Sequence, residues 1–291
     1  MRIVTFHRGG AAPEVGIVDG NRVIGLASAG YASVLDLIER WDDAQPDVDS
    51  FLADADKEAV ADLASVTLMA PIPRPPKLIC VGLNYHDHAV ESGLPIPTIP
   101  VIFNKFPNVV VGPGEPIVLP SVSEKPDYEV ELAVVIGKGG RRIAAADSMK
   151  HVFGYTILND VSARDYQMQT SQWLMGKTFD TFAPMGPWIV TADAIGDPHA
   201  LDISMEIGGE VRQNSNTREL IFRIPELIAF LSGVVTLEPG DIISTGTPAG
   251  VGLGFKPPKW LEAGQECVAR IQGIGELRNP CVAEKAGAAQ A

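Results

Sequence analysis

The stretch 126–136, PDYEVELAVVI, sets the tightest limit on what this chain can fold into. Val130, Leu132, Val134 and Ile136 are apolar at every second position, the period of a strand. Such a strand heads for a core, yet it carries Glu129 and Glu131. Residues i and i+2 of a strand point the same way, about 6.6 Å apart along the chain. The two carboxylates therefore share one face, opposite Val130 and Leu132. Held together on an apolar strand, they repel each other and lose hydration. A solvated strand face avoids both penalties, and a divalent cation removes them. Asp160 closes another apolar run, HVFGYTILND, and at a strand end it is well placed to join the pair. Two Glu and one Asp make an all-oxygen, hard-ligand set that suits Mg2+ or Mn2+ better than Zn2+. They leave about three octahedral positions for water and a chelating substrate.

A second constraint is MAPIPRPPK at 69–77. Four prolines in six residues forbid regular structure and mark a linker. The chain of 291 residues then divides into a small N-terminal domain, 1–68, and a larger one, 78–291. Before the linker, strand-like runs alternate with turns, and Asp19-Gly20-Asn21 suits a hairpin. Residues 33–41 and 50–65 show helical spacing. After it, LICVG, PVIFNKF, PIVLP, YEVELAVVIG and HVFGYTILND read as strands. NYHDHAVESG, ADSMKHV and RIPELIAFLSG read as helices, and ECVARIQGIGELRNP as a closing hairpin. The fold class is mainly β with α+β elements: a small α+β domain followed by a mixed β-roll.

The formal net charge of −13 would repel nucleic acid and anionic membrane surfaces, so neither is an expected partner. Three widely spaced cysteines, none in a CxxC pair, argue against a disulfide framework or zinc knuckle and suit a reducing compartment. The N-terminus MRIVTFHRGG has no signal-like apolar run, and the expected location is cytoplasmic.

His88 and Glu91 lie three residues apart in the short helix, which sets them side by side. That is the geometry of a base and its orienter, and equally of an incidental surface pair. Lys177, in WLMGKTFDTFAPMGP, either snorkels from a pocket edge or neutralises an anion. STGTPAGVG matches no phosphate loop, and GxSxG and HExxH motifs do not occur.

Together, VGLNYHDHAVES, PDYEVELAVVIGK, GYTILNDVSARDYQ, GKTFDTFAPMGPWIVT, LEPGDIISTGTPAGVG and GIGELRNPC resemble the fumarylacetoacetate hydrolase family in order and spacing. The resemblance covers about residues 70–283, and 1–68 looks like the extra domain of many bacterial members. It implies a β-roll catalytic domain, usually a homodimer, with Mg2+ or Mn2+ on Glu129, Glu131 and Asp160. It implies that His88 and Glu91 form a dyad on a lid helix and that Lys177 contacts the substrate anion. Tyr85, Lys105, Gln167 and Thr247 are the further substrate contacts it implies. Leu83 stands where some small-substrate members carry arginine. The activity it points to is metal-dependent C–C hydrolysis of an acylpyruvate-type β-diketo acid through an enolate. A 2-oxo acid decarboxylase, or a 2-hydroxyhepta-2,4-diene-1,7-dioate-type isomerase of aromatic catabolism, would use the same residues. A metal-binding protein without catalysis is the reading from a different class.

Overall fold

The computed structural model describes residues 1–53 and 59–285. Most of the fold is β-structure in two sheets. The larger runs, in spatial order, through Val60–Asp62, Arg22–Gly25, Glu14–Asp19, Arg2–His7, Ala183–Thr191, Val152–Asn159, Val130–Ile136, Ile242–Ser244, Leu78–Gly82 and Val101–Asn104. The smaller orders Glu210–Asn216, Asp202–Ile207, Glu266–Ile271, Gly275–Ala283 and Ile117–Leu119. Both mix antiparallel with parallel pairing: in the larger sheet Ile242–Ser244 runs parallel to Leu78–Gly82 and Val110–Val111 parallel to Ala183–Thr191, and in the smaller Gly275–Ala283 runs parallel to Ile117–Leu119. This is the mixed β architecture expected from the alternating runs and frequent turn residues.

Strand Val130–Ile136 lies inside the larger sheet, between Val152–Asn159 and Ile242–Ser244. All seven of its residues are buried. The solvated-face reading of the paired glutamates therefore falls. The smaller sheet packs across these central strands through Asp202–Ile207 and Glu266–Ile271. One large apolar core takes in Leu132, Val134, Ile157, Ile203 and Ile271, and also Ile3, Val15 and Leu37 from the N-terminal part.

The Asp19/Arg22 hairpin forms as expected, with Gly20 at a left-handed φ of 59°. The proline-rich run 69–77 holds no regular element. Strands from before and after it nevertheless share the larger sheet, because Ile3 pairs with Ile189. A division at 69–77 is thus a proposal about folding units, with no break in the sheet.

The 50–65 helix is corrected. A helix covers Trp41–Ala53, and Val60–Asp62 is a strand. Residues 54–58 lie outside the described residues. The edge of the hairpin decides this, since Val60 pairs with Ile24 and open ladder groups outweigh helical spacing. ADSMKHV folds as the 3₁₀ helix Ala145–His151.

Leu132 is fully buried and points away from the carboxylate face. Leu132→Ala should cost about 2–5 kcal/mol of stability. The check is urea unfolding: a lower midpoint with unchanged slope, and retained Mn2+ stoichiometry in the folded variant.

Candidate active site

Two strand ends bring the three carboxylates together. Val130 pairs with Asn159, so Glu129 and Asp160 flank one rung of the ladder. Two bonds lock that corner: the Glu129 amide donates to Asn159 Oδ1 at 3.0 Å, and the Asp160 amide donates to the Glu129 carbonyl at 2.8 Å. Glu131 follows on the same face as Glu129. Ligand oxygens of Glu129, Glu131 and Asp160 all lie within 4.8 Å of one another, and all three residues are buried.

Three cations face this cluster. Lys177 Nζ bridges Glu129 Oε2 at 2.5 Å and Asp160 Oδ2 at 2.8 Å. Arg164 Nη2 donates to Glu129 Oε1 at 2.6 Å. Lys105 Nζ donates to Asp160 Oδ1 and, at 2.9 Å, to the Val161 carbonyl. Glu131 receives no cation. It accepts from Ser244 Oγ at 2.5 Å and from the Gly246 amide at 2.9 Å.

The electrostatics follow from that division. Burial pushes the Glu129 carboxyl up, but the Arg164 and Lys177 charges outweigh it and hold the group well below the usual carboxylate range. Burial, with the Asp160 and Glu129 charges added, pushes Glu131 up to about 8. Burial works to lower the Lys177 pKa, yet Asp160 and Glu129 win and raise it. For Lys105 burial prevails, and its pKa is lowered.

The donor set fits a hard divalent cation. It is all oxygen, and one member, Glu131, lacks a charge partner that a cation would supply. The cleft beside it encloses about 510 Å3 and is lined by Glu129, Glu131, His88, Glu91, Arg164, Gln167, Lys177 and Thr247, among others. Most of the residues expected from the sequence therefore meet in one place. His88 Nδ1 lies 3.1 Å from Glu91 Oε2, and both residues line the cleft.

Two expected substrate contacts stand elsewhere. Lys105 and Tyr85 do not line the cleft. Lys105 is drawn behind Asp160 by its ion pair. Tyr85 is fully buried at the start of helix His86–Ser92, and its Oη has no partner among the described residues. Thr247 Oγ1 is engaged with the Val130 carbonyl at 2.9 Å and accepts from Gln213 Nε2 at 2.8 Å.

Two side chains pin helix His86–Ser92 to neighbouring segments. Asp87 accepts from Ser215 Oγ at 2.6 Å, and Glu91 Oε1 accepts from the Gly250 amide at 2.9 Å. Sequence reasoning also missed Arg164 and Asp127. Asp127 is completely buried and accepts from Arg164 Nε at 2.8 Å, Gly252 N at 2.6 Å, Leu253 N at 3.0 Å and Tyr128 N at 2.9 Å. Gly252 permits this approach, because a Cβ there would sit 2.6 Å from Asp127 Oδ1. The signals were present: Asp127 precedes the Glu pair, and Arg164 lies four residues after Asp160.

A model of the family described as fumarylacetoacetate (FAA) hydrolase C-terminal matches residues 77–282. The chain belongs to the fumarylacetoacetate hydrolase family. Among its relatives is the Xenopus laevis protein named oxaloacetate tautomerase fahd2, mitochondrial. It is 44% identical over 290 residues, 97% of this chain and 90% of the relative. The human oxaloacetate tautomerase FAHD2A, mitochondrial, is 51% identical over 221 residues, 75% of this chain and 70% of the relative. A solved maleylpyruvate hydrolase from Sphingobium sp. SYK-6, in complex with manganese(II) ion and pyruvate, superposes with a TM-score of 0.83. It is 32% identical, over 98% of this chain and all of that one. Family relatives thus include enzymes of more than one reaction type. Among the described residues no helix is long and apolar enough to cross a membrane. These two vertebrate relatives are named as mitochondrial.

Two measurements probe this family member's site. A carboxyl pKa raised by folding favours the protonated form, so its stabilising contribution is present at low pH and lost as pH rises toward 8. A cation must expel that proton. Mn2+ affinity should therefore rise with pH up to about 8 and level off above, with proton release in calorimetry below that point. Separately, Asp127→Ala takes the acceptor from Arg164 Nε and from the Gly252 and Leu253 amides, while Arg164 keeps Glu129 and Gln167, and should cost about 3 kcal/mol or more. Thermal and urea unfolding check it.

Proposed function

We propose that the protein catalyses metal-dependent proton transfer at C3 of a small 2-oxo acid, interconverting keto and enol forms. The observation that carries this reading is the His88–Glu91 dyad in the cleft that Glu129 and Glu131 of the three-carboxylate cluster also line. The tautomerase names of relatives 44% and 51% identical support it.

A divalent cation, Mg2+ or Mn2+, on Glu129, Glu131 and Asp160 would supply Lewis-acid polarisation of the 2-oxo group. The remaining work falls to the chain. Glu91 is an acceptor only, so the His88 tautomer with hydrogen on Nδ1 is favoured and Nε2 is left as the base. The Gly250 amide fixes Glu91 and thereby the ring. Nε2 takes a proton from C3, and the electron pair of that C–H bond moves toward the 2-oxo oxygen. Lys177 and Arg164 keep positive charge beside the developing oxyanion. Gln167 Oε1 accepts from Arg164 Nη1 at 2.8 Å, which turns its NH2 toward other partners. The same proton returns to oxygen to give the enol, or to carbon to give the ketone.

A second reading is hydrolysis of an acylpyruvate, favoured by the likeness to a maleylpyruvate hydrolase with pyruvate bound. There His88 would take its proton from water, which attacks the acyl carbonyl, and pyruvate enolate leaves. Both readings take the active unit to be a homodimer, as the family resemblance implies, and sedimentation velocity checks that.

The test follows C3 hydrogen–deuterium exchange of oxaloacetate and pyruvate by NMR, beside release of pyruvate from an acylpyruvate. We expect Mg2+- or Mn2+-dependent exchange without cleavage. His88→Ala should lower exchange by about 10²–10⁴ while oxalate affinity stays within a few-fold. Exchange that survives exhaustive chelation would sink the metal-dependent reading. Rapid cleavage would favour the hydrolase.

A further inference from the structure

Beyond the carboxylates the cleft turns apolar. Its outer wall comes from Leu83, Val101, Phe103, Met168, Trp173 and Leu253. Met168 is 62% exposed and Leu253 42%, so apolar surface is held open to solvent at this edge. Apart from the carboxylates, the dyad, Arg164 and Lys177, the only ionisable lining residue among those described is the exposed Lys256.

The wall is built into the fold. Trp173 lies against Gly82, where a Cβ would meet the indole ring at 2.4 Å. Trp173 and Phe103 make a T-shaped contact, with ring centres 5.5 Å apart at 66°. Phe103 in turn carries Lys177 Nζ 4.9 Å from its ring centre. Aromatic surface thus leads directly to the ammonium that holds Glu129 and Asp160. A three- or four-carbon acid occupies only a small part of a cleft of about 510 Å3.

We propose that the substrate is a 2-oxo acid whose chain beyond C3 is an uncharged alkyl or aryl group lying on the Trp173–Phe103 wall. This rests on the head-group chemistry argued above. Each methylene buried there should gain about fourfold in affinity. A charged group on that wall would lose hydration with no buried partner. Pyruvate would then supply the head group without the tail.

Calorimetry on the Mn2+-loaded full chain tests this with oxalate, pyruvate, 2-oxooctanoate and 2-oxooctanedioate. We expect 2-oxooctanoate to bind at least tenfold more tightly than pyruvate, and more tightly than 2-oxooctanedioate. Met168→Glu, at an exposed position the fold can accommodate, should cut the 2-oxooctanoate-to-pyruvate affinity ratio at least threefold. Equal affinities for 2-oxooctanoate and pyruvate, as a partner chain seated on the wall would give, overturn the proposal. So does an unchanged ratio in Met168→Glu. Tighter 2-oxooctanedioate overturns the uncharged tail. Oxalate separates the two levels: no Mn2+-dependent oxalate binding refutes the head-group reading, whereas oxalate binding with a flat tail series refutes the tail alone.

Discussion

The Lys177 ammonium, shared between Glu129 and Asp160, is the contact on which the rest of this site depends. Three buried carboxylates within 4.8 Å would otherwise force protons onto one another or push their strands apart. Lys177, Arg164 and Lys105 offset two of the three charges, and the third, Glu131, falls back on hydroxyl and amide donors. The result is a polar corner inside a hydrophobic sheet. Such a corner is a poor source of stability, because desolvation consumes most of the attraction. Its retention makes sense as a poised charge arrangement, with one carboxylate left for a cation to claim.

The same charges reach outward through backbone amides. Arg164 ties Glu129 to Asp127, and Asp127 ties both to the loop at Gly252 and Leu253. That loop also presents the Gly250 amide to Glu91, which orients His88. Carboxylate cluster and dyad are therefore parts of one hydrogen-bonded body. A disturbance of the loop reaches both the carboxylate cluster and the His88–Glu91 pair, although no single residue touches all of them.

Phe103 joins this polar interior to the apolar mouth. One face of its ring meets the Lys177 ammonium, and Trp173 makes a T-shaped contact with it. The cleft thus grades from full charge to hydrocarbon over two side chains. That gradient distinguishes head from tail in any ligand that enters.

Much of this was legible in the chain, for a physical reason. Strand periodicity puts i and i+2 on one face, so Glu129 and Glu131 had to share a direction, and a strand of that apolarity had to be buried. Helical spacing likewise made His88 and Glu91 neighbours. Motif order then tied these pieces to one family. What periodicity cannot express is contact between distant elements. The 50–65 helix gave way to a strand at Val60–Asp62 because the hairpin offered open ladder groups. Arg164 and Asp127 look ordinary in sequence and acquire their roles only when two strand ends and a glycine loop meet. Lys105 looked like a substrate contact, but its charge is satisfied behind Asp160. The sequence by itself determined which groups share a face and which family they resemble. Only the tertiary structure decided which cation pairs with which carboxylate, because Coulomb and hydrogen-bond energies depend on distances set by long-range packing.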